Sequence, residues 1–133
     1  KRRMEQTKKA MSEIFKENKD CKDAFQIKGK GLLLVVPKTA DEIKAEGAAL
    51  HHCVGGYVDR VARGETNIFF VRKSAEPDKP YFTMEWNNNH IIQCRGSHNC
   101  GMPPEVEAFV KAFEKKMQDT INENKEKEMR RCG

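Results

Sequence analysis

Apolar residues recur along this chain in two rhythms, one helical and one alternating. Between residues 3 and 19, Met4, Met11, Ile14 and Phe15 fall at helical spacing among lysines and glutamates, which predicts an amphipathic helix. Gly29 and Gly31 break that pattern. Leu32 to Val36 is then a short apolar run closed by Pro37, and it reads as a buried strand. Thr39 is a suitable N-cap, with Asp41 and Glu42 in the first turn, for a helix running to about Ala49. Ile43, Ala48 and Leu50 give that helix only a weak apolar face. His51-His52-Cys53 follows as a junction. A short second helix from Tyr57 to Ala62 offers Val54, Tyr57, Val58 and Val61 to a core, and Gly64 ends it.

The next thirty residues switch to alternation. Asn67 to Arg72, Tyr81 to Trp86 and His90 to Cys94 read as three strands of an antiparallel meander. Glu76-Pro77-Asp78-Lys79-Pro80 is the first loop. Asn87-Asn88-Asn89 is a tight turn, because asparagine tolerates positive φ. In the middle strand Phe82, Met84 and Trp86 share one face, so Thr83 and Glu85 share the other, toward water or a polar cleft. Pro103-Pro104 opens the last helix, where a missing N–H does no harm. Val106, Phe109, Val110, Phe113, Met117 and Ile121 form its core stripe, and after Asn122 the chain becomes a charged helix end or tail.

The order helix, strand, two helices, three strands, helix predicts an α+β fold. Its expected form is a small antiparallel sheet of three to four strands packed against helices, with long N- and C-terminal helices. The expected division is a helical extension or linker over 1–30, the α+β domain over 31–122 and a charged tail over 123–133. The first residue is Lys, so a fragment or processed product is expected.

Composition narrows the function classes. The 133 residues suit one domain, with 34% charged and 38% hydrophobic residues leaving a modest core. A net charge of +5 favours anionic partners, nucleic acid first and a membrane surface second, although many small domains carry a few spare lysines. No apolar run approaches the roughly 20 residues that cross a bilayer. Five cysteines with no regular spacing are expected to be free thiols in a reducing cytoplasm. The chain has no Walker loop, His-Glu-x-x-His helix or Gly-x-Ser-x-Gly elbow, which argues against the common nucleotide-binding, protease and esterase classes.

Candidate chemistry concentrates between residues 46 and 99. His52 and Cys53 offer an imidazole beside a thiol, a pairing that suits a nucleophile and its base, although neighbouring side chains usually point apart. A cysteine at a helix N-terminus would be reactive; the bland reading is a buried thiol and a packed imidazole. Glu85, Gln93 and Arg95 are placed to share a face, and Arg95 suits a phosphate or a carboxylate. The structural alternative is a cross-strand Arg95–Glu85 pair, with Asn99 a turn-former. His51 or His52, Cys53, Cys94, His98 and Cys100 are enough zinc ligands in number, but their spacing matches no standard site, and no metal is assigned. Arg60, Arg63, Arg72, Lys73 and Arg95 form a basic set near the same elements, and Tyr57 and Asn99 join them as binding candidates. An exposed aromatic among Phe69, Phe70, Tyr81 and Trp86 would stack on a base; more often such residues are core.

Several stretches together resemble the PcfJ-like family, which occurs in proteins of conjugative plasmids, phages and related mobile elements. They are Val36-Pro37-Lys38, Asp41-Glu42-Ile43 through Glu46-Gly47, and Leu50-His51-His52-Cys53-Val54-Gly55-Gly56-Tyr57. They continue with Gly64-Glu65-Thr66-Asn67-Ile68-Phe69-Phe70-Val71-Arg72, Pro80-Tyr81-Phe82-Thr83-Met84-Glu85, and Ile92-Gln93-Cys94-Arg95-Gly96 with Asn99. The resemblance covers roughly residues 31 to 114 and implies a nucleic-acid-associated accessory role. It maps a shared site onto His52, Cys53, Tyr57, Glu85, Gln93, Arg95 and Asn99, and supplies neither a chemistry nor a cofactor.

Three readings follow. The first is a nucleic-acid-binding accessory module of a mobile element. The second is an enzyme, a nuclease, hydrolase or nucleotide-dependent transferase, with His52, Cys53, Glu85, Gln93 and Arg95 in one pocket. The third is a protein-interaction or inhibitor module that uses the terminal helices as its partner surface.

Overall fold

A computed structural model describes residues 2–16, 24–26, 31–51 and 57–132. Helix α1 spans Arg2–Lys16 and is followed by strands β1 (Ala24–Gln26) and β2 (Leu32–Val35). Helices α2 (Ala40–Leu50) and α3 (Val58–Ala62) come next. Strands β3 (Asn67–Lys73), β4 (Phe82–Asn87) and β5 (His90–Arg95) then lead to the long helix α4, Pro104–Cys132. The strands form one five-stranded sheet in the order β1-β2-β3-β4-β5, with every neighbouring pair antiparallel.

The fold is thus α+β with one strand more than the three to four expected. The extra strand is β1, whose Ala24, Phe25 and Gln26 pair with Val35, Leu34 and Leu33. Three residues are too few to show alternation, so nothing local marked them.

The sheet is covered on both sides, which is why β3 and β4 carry near-continuous buried runs. On one face Leu32, Leu34, Phe69, Val71, Phe82, Met84, Trp86 and Cys94 meet α1 and α4. Phe113 of α4 is the hub, with its ring centroid 5.6 Å from Phe69, 5.8 Å from Trp86 and 5.3 Å from Phe25. The expected α4 stripe from Val106 to Ile121 is wholly buried here. Burying such side chains contributes about 1.5–3 kcal/mol each.

Helix α1 packs into this same core. Ala10, Met11, Ile14 and Phe15 are buried with α4, and Asn124 Nδ2 donates to Glu13 Oε2 at 3.1 Å. Glu13 and Asn124, from the segments 1–30 and 123–133, thus meet across α1 and α4. Residues 125–130 of α4 are exposed.

The opposite face is thinner and more polar. Ile43, Ile68 and Phe70 form a small cluster with Val35, Tyr57, Val58 and Val61. Helix α2 starts where expected: Thr39 Oγ1 accepts from the Glu42 N–H at 3.2 Å, and Glu42 Oε2 accepts from the Lys38 N–H at 2.5 Å. It stops at His51, whose φ of 52° is left-handed. Gly64, at φ 73°, closes the segment after α3, a conformation that favours glycine. Asn88 and Asn89, at φ 53° and 63°, make the expected hairpin turn.

A bulge between Glu85 and Trp86 shifts the β4–β5 register. Gln93 pairs with Glu85 while Ile91 pairs with Trp86, so Ile92 is the extra residue and lies 52% exposed. The bulge lets Ile91 pack on the α1/α4 core while Gln93 turns to the polar face.

Candidate functional site

The polar face is organised around the buried carboxylate of Glu85. Thr66 Oγ1 donates to Glu85 Oε2 at 2.7 Å, and Gln93 Nε2 donates to Glu85 Oε1 at 3.3 Å. Arg60 Nη2 lies 3.7 Å from Glu85 Oε2. Gln93 Nε2 also donates to the Tyr57 hydroxyl at 3.1 Å, and the Arg60 guanidinium lies 5.2 Å from the Tyr57 ring centroid. A buried carboxylate is costly without donors, and here three elements supply them: α3, the residue before β3, and β5.

The expected pair partner of Glu85 was Arg95; the structure puts Arg60 there instead. In the register Arg95 lies opposite Thr83, one pleat away from Glu85, and its side chain is exposed. Arg95 makes no hydrogen bond or ion pair with any described residue. Thr83 Oγ1 is buried without a hydrogen-bond partner among the described residues.

A second clasp lies at the C-terminal end of α2. His51 stacks on His98 with centroids 4.6 Å apart and planes inclined by 18°. His98 sits in a 3-10 turn over Ser97–Asn99, and its Nδ1 is 2.9 Å from Ser97 Oγ. Asn99 is a turn-former: its φ is 64°, and its N–H donates to the Gly96 carbonyl at 3.0 Å. Gly96 sets this turn against the core, since a Cβ there would lie 2.8 Å from Phe82 Cζ and 3.0 Å from Cys100 Sγ.

His51 in the stack and Tyr57 in the Glu85 network are the two ends that flank His52, Cys53, Val54, Gly55 and Gly56. His52 and Cys53, the expected imidazole and thiol, lie outside the described residues.

The remaining basic candidates divide. Arg72 is committed internally: it pairs with Glu46 Oε1 at 2.5 Å, donates to the Pro77 carbonyl at 2.9 Å and lies 4.9 Å from the Phe70 ring. The Glu46 side chain is only 2% exposed, and its burial raises its pKa against the opposing pull of Arg72. Arg63 pairs with Glu65 on the surface, and Lys73 lies 4.8 Å over the Tyr81 ring. Arg60 and Arg95 are therefore the basic residues both near the site and open to solvent.

The described members of the zinc set, His51, Cys94, His98 and Cys100, do not gather into a metal site. Cys94 is buried opposite Met84 on the α1/α4 face, and burial pushes its thiol up to about 12. Cys100 and His98 are exposed. Among the described residues no three His, Cys, Asp or Glu side chains stand together for a metal. None of the described helices is long and apolar enough to cross a membrane.

Thr66 and Glu46 were not singled out from sequence, and His51 and His98, weighed there as zinc ligands, were not expected to pair. Thr66 is the residue just before β3. His51 and His98 lie 47 positions apart, and no local pattern links them. Glu46 shares its side of α2 with Ile43, Gly47 and Leu50, all buried, and that i, i+3, i+4, i+7 spacing is the signal that could have found it.

Chemically, Glu85 has its oxygens occupied by donors, so it acts as an anchor for Gln93, Tyr57 and Arg60. The group presented outward is the Arg95 fork, on a rigid strand that also holds Gln93.

The family model described as PcfJ-like protein matches residues 1–110. The match begins thirty residues before the stretch on which the resemblance rested, in keeping with the place of α1 in the core. An uncharacterized protein of Listeria innocua is 46% identical over 68 residues, which is 50% of this chain and 15% of that protein. No solved structure matches the chain significantly.

Proposed function

Because this chain belongs to the PcfJ-like protein family, we propose that it is a nucleic-acid-associated accessory domain of a mobile genetic element, working in plasmid transfer or phage biology. The observation that carries the reading is Arg95: a guanidinium at the end of β5, exposed and without a carboxylate partner among the described residues. A fork of this kind suits a phosphate oxygen pair. Arg60 lies in the Glu85 network on the same sheet face, and exposed His98 and Asn99 lie in the turn that follows β5. The net charge of +5 is consistent with an anionic partner. Of the basic set read from sequence, Arg72 is tied to Glu46, while Lys73 is exposed and lies over the Tyr81 ring.

Fluorescence anisotropy with single- and double-stranded oligonucleotides across a salt series tests this. The expected result is a linear fall of log K with log salt, with Arg95→Ala reducing the slope by about one and weakening all sequences alike. No binding to DNA or RNA at low salt would remove the reading.

A second reading is an enzyme, favoured by the way the two clasps flank the stretch bearing His52 and Cys53. It predicts a nuclease, hydrolase or nucleotide-dependent transferase activity that His52→Ala abolishes while thermal stability is kept. The third reading, a partner surface on the terminal helices, has less support: the apolar stripes of α1 and α4 are buried within the domain, and Met129 is the large apolar side chain left exposed on α4.

A further inference from the structure

Gln93 and Tyr57 leave one acceptor and one donor unspent on the polar face. The Gln93 amide nitrogen donates to Glu85 Oε1 at 3.3 Å and to the Tyr57 hydroxyl at 3.1 Å, which uses both of its hydrogens. A carboxylate can only accept, so Glu85 fixes which way the amide is turned. The Gln93 carbonyl oxygen is thus turned away from Glu85, and it has no hydrogen-bond partner among the described residues. Gln93 is half-buried, yet this oxygen is not sealed from solvent. The Tyr57 hydroxyl spends a lone pair on the amide, so its own proton finds no acceptor among the described residues. The amide that carries the free acceptor touches the hydroxyl that carries the free donor, so the two stand side by side.

We propose that this pair reads the hydrogen-bonding edge of an unpaired base, so that the partner is single-stranded nucleic acid with a base on Gln93 and Tyr57 and a neighbouring phosphate on Arg95. The inference rests on the nucleic-acid reading above and narrows it. Each base carries a donor beside an acceptor on its pairing edge: amino group and ring nitrogen in adenine and cytosine, ring N–H and carbonyl in guanine and thymine. Glu85 prevents the amide from exchanging its acceptor for a donor, so amino and keto bases meet a fixed pattern and are told apart.

The surroundings suit a splayed base. Arg95 follows Gln93 by two residues on β5 with no register shift between them, so both project from one face about 6.6 Å apart. Arg60, 41% exposed with its guanidinium 5.2 Å from the Tyr57 ring centroid, adds a planar cation of the kind on which bases stack. A duplex hides its pairing edges, and its major groove is read by a helix or ribbon that enters it. Here both readers are half-buried between the start of α3 and β5, so the base has to come to them.

Fluorescence anisotropy of the full chain at low salt tests the proposal, with adenine, cytosine and thymine oligonucleotides, an adenine–thymine duplex and an abasic oligonucleotide of the same length. The single strands are expected to bind at least about tenfold more tightly than the duplex or the abasic chain. The thymine oligonucleotide should differ from the adenine and cytosine ones by about fivefold or more. Tyr57→Phe should erase that difference with the melting temperature kept, whereas a preference due to stacking alone would survive it. The abasic comparison needs no variant, so it decides even where Tyr57→Phe unfolds the chain. Equal affinity for base-bearing and abasic chains would overturn the proposal and leave the nucleic-acid reading standing, as would an unchanged base preference in folded Tyr57→Phe. Absence of binding to every oligonucleotide would remove that reading and this inference together.

Discussion

Gln93 and Tyr57 are joined by a hydrogen bond of 3.1 Å from the side-chain amide of one to the hydroxyl of the other, across 36 residues of sequence. The same amide nitrogen lies 3.3 Å from Glu85, so a strand residue ties the start of α3 to the carboxylate beneath it. Glu85 accepts from Thr66 and faces Arg60 in the same network. Removing the carboxylate should therefore matter more than removing the exposed Arg95. Glu85→Ala is expected to cost about 2–3 kcal/mol in urea unfolding, since it strands buried donors. Arg95→Ala should stay within about 0.5 kcal/mol. Equal losses would show that Arg95 is part of the buried network.

The Glu46–Arg72 pair under α2 should behave as a buried ion pair. Arg72→Ala leaves the Glu46 carboxylate without its cation and should cost about 3–5 kcal/mol. Replacing both, Glu46→Leu with Arg72→Met, should restore most of that loss, because two desolvated charges are removed together. A double-mutant cycle in chemical denaturation reads this; a double variant as weak as Arg72→Ala would refute it.

The same pair gives a pH dependence with a definite sign. Burial raises the Glu46 pKa above 4.5 in the folded chain, so folding favours the protonated acid. The corresponding stability is fully present below the unfolded value and disappears as pH rises through the higher folded one. Glu46→Gln cannot ionise and should flatten the stability profile just above pH 4.5. An unchanged profile would exclude Glu46 as its source.

Thiol chemistry should separate two neighbouring cysteines. Cys94 is held neutral by burial, with its pKa near 12, whereas Cys100 is exposed. At about pH 8, iodoacetamide should label Cys100 in the native chain and Cys94 only after denaturation. Peptide mass mapping reads the result, and native labelling of Cys94 at a comparable rate would contradict its place in the core. Because the folded value is the higher one, the contribution of Cys94 to stability is retained below the ordinary thiol range and lost as pH rises toward 12.

Gly96 should not tolerate a methyl group. An added Cβ would approach Phe82 Cε2 to 2.9 Å, and that ring is buried and cannot move aside freely. Gly96→Ala is expected to cost about 1–3 kcal/mol. It should also loosen the turn that holds His98 against His51, which NMR of the two imidazoles would report as loss of their mutual ring-current shifts. A variant as stable as the parent, with those shifts intact, would contradict the packing.

The alternation in Phe82-Thr83-Met84-Glu85-Trp86 and the helical stripe from Val106 to Ile121 determined the α+β class, the hairpins and the main core, because each pattern reports burial within one element. Thr39, Gly64 and the paired asparagines marked their ends for equally local reasons. The brief β1 carried no such pattern, and only pairing with β2 makes it a strand. The seam of α1 against α4 was likewise open until both helices met on one sheet. The choice of Arg60 over Arg95 for Glu85, the stack of His51 on His98 and the burial of Glu46 with Arg72 were decided by tertiary structure alone. Each depends on which residues distant along the chain come within hydrogen-bond reach, and in the β4–β5 region a single bulge sets which side chains of β5 turn to that face.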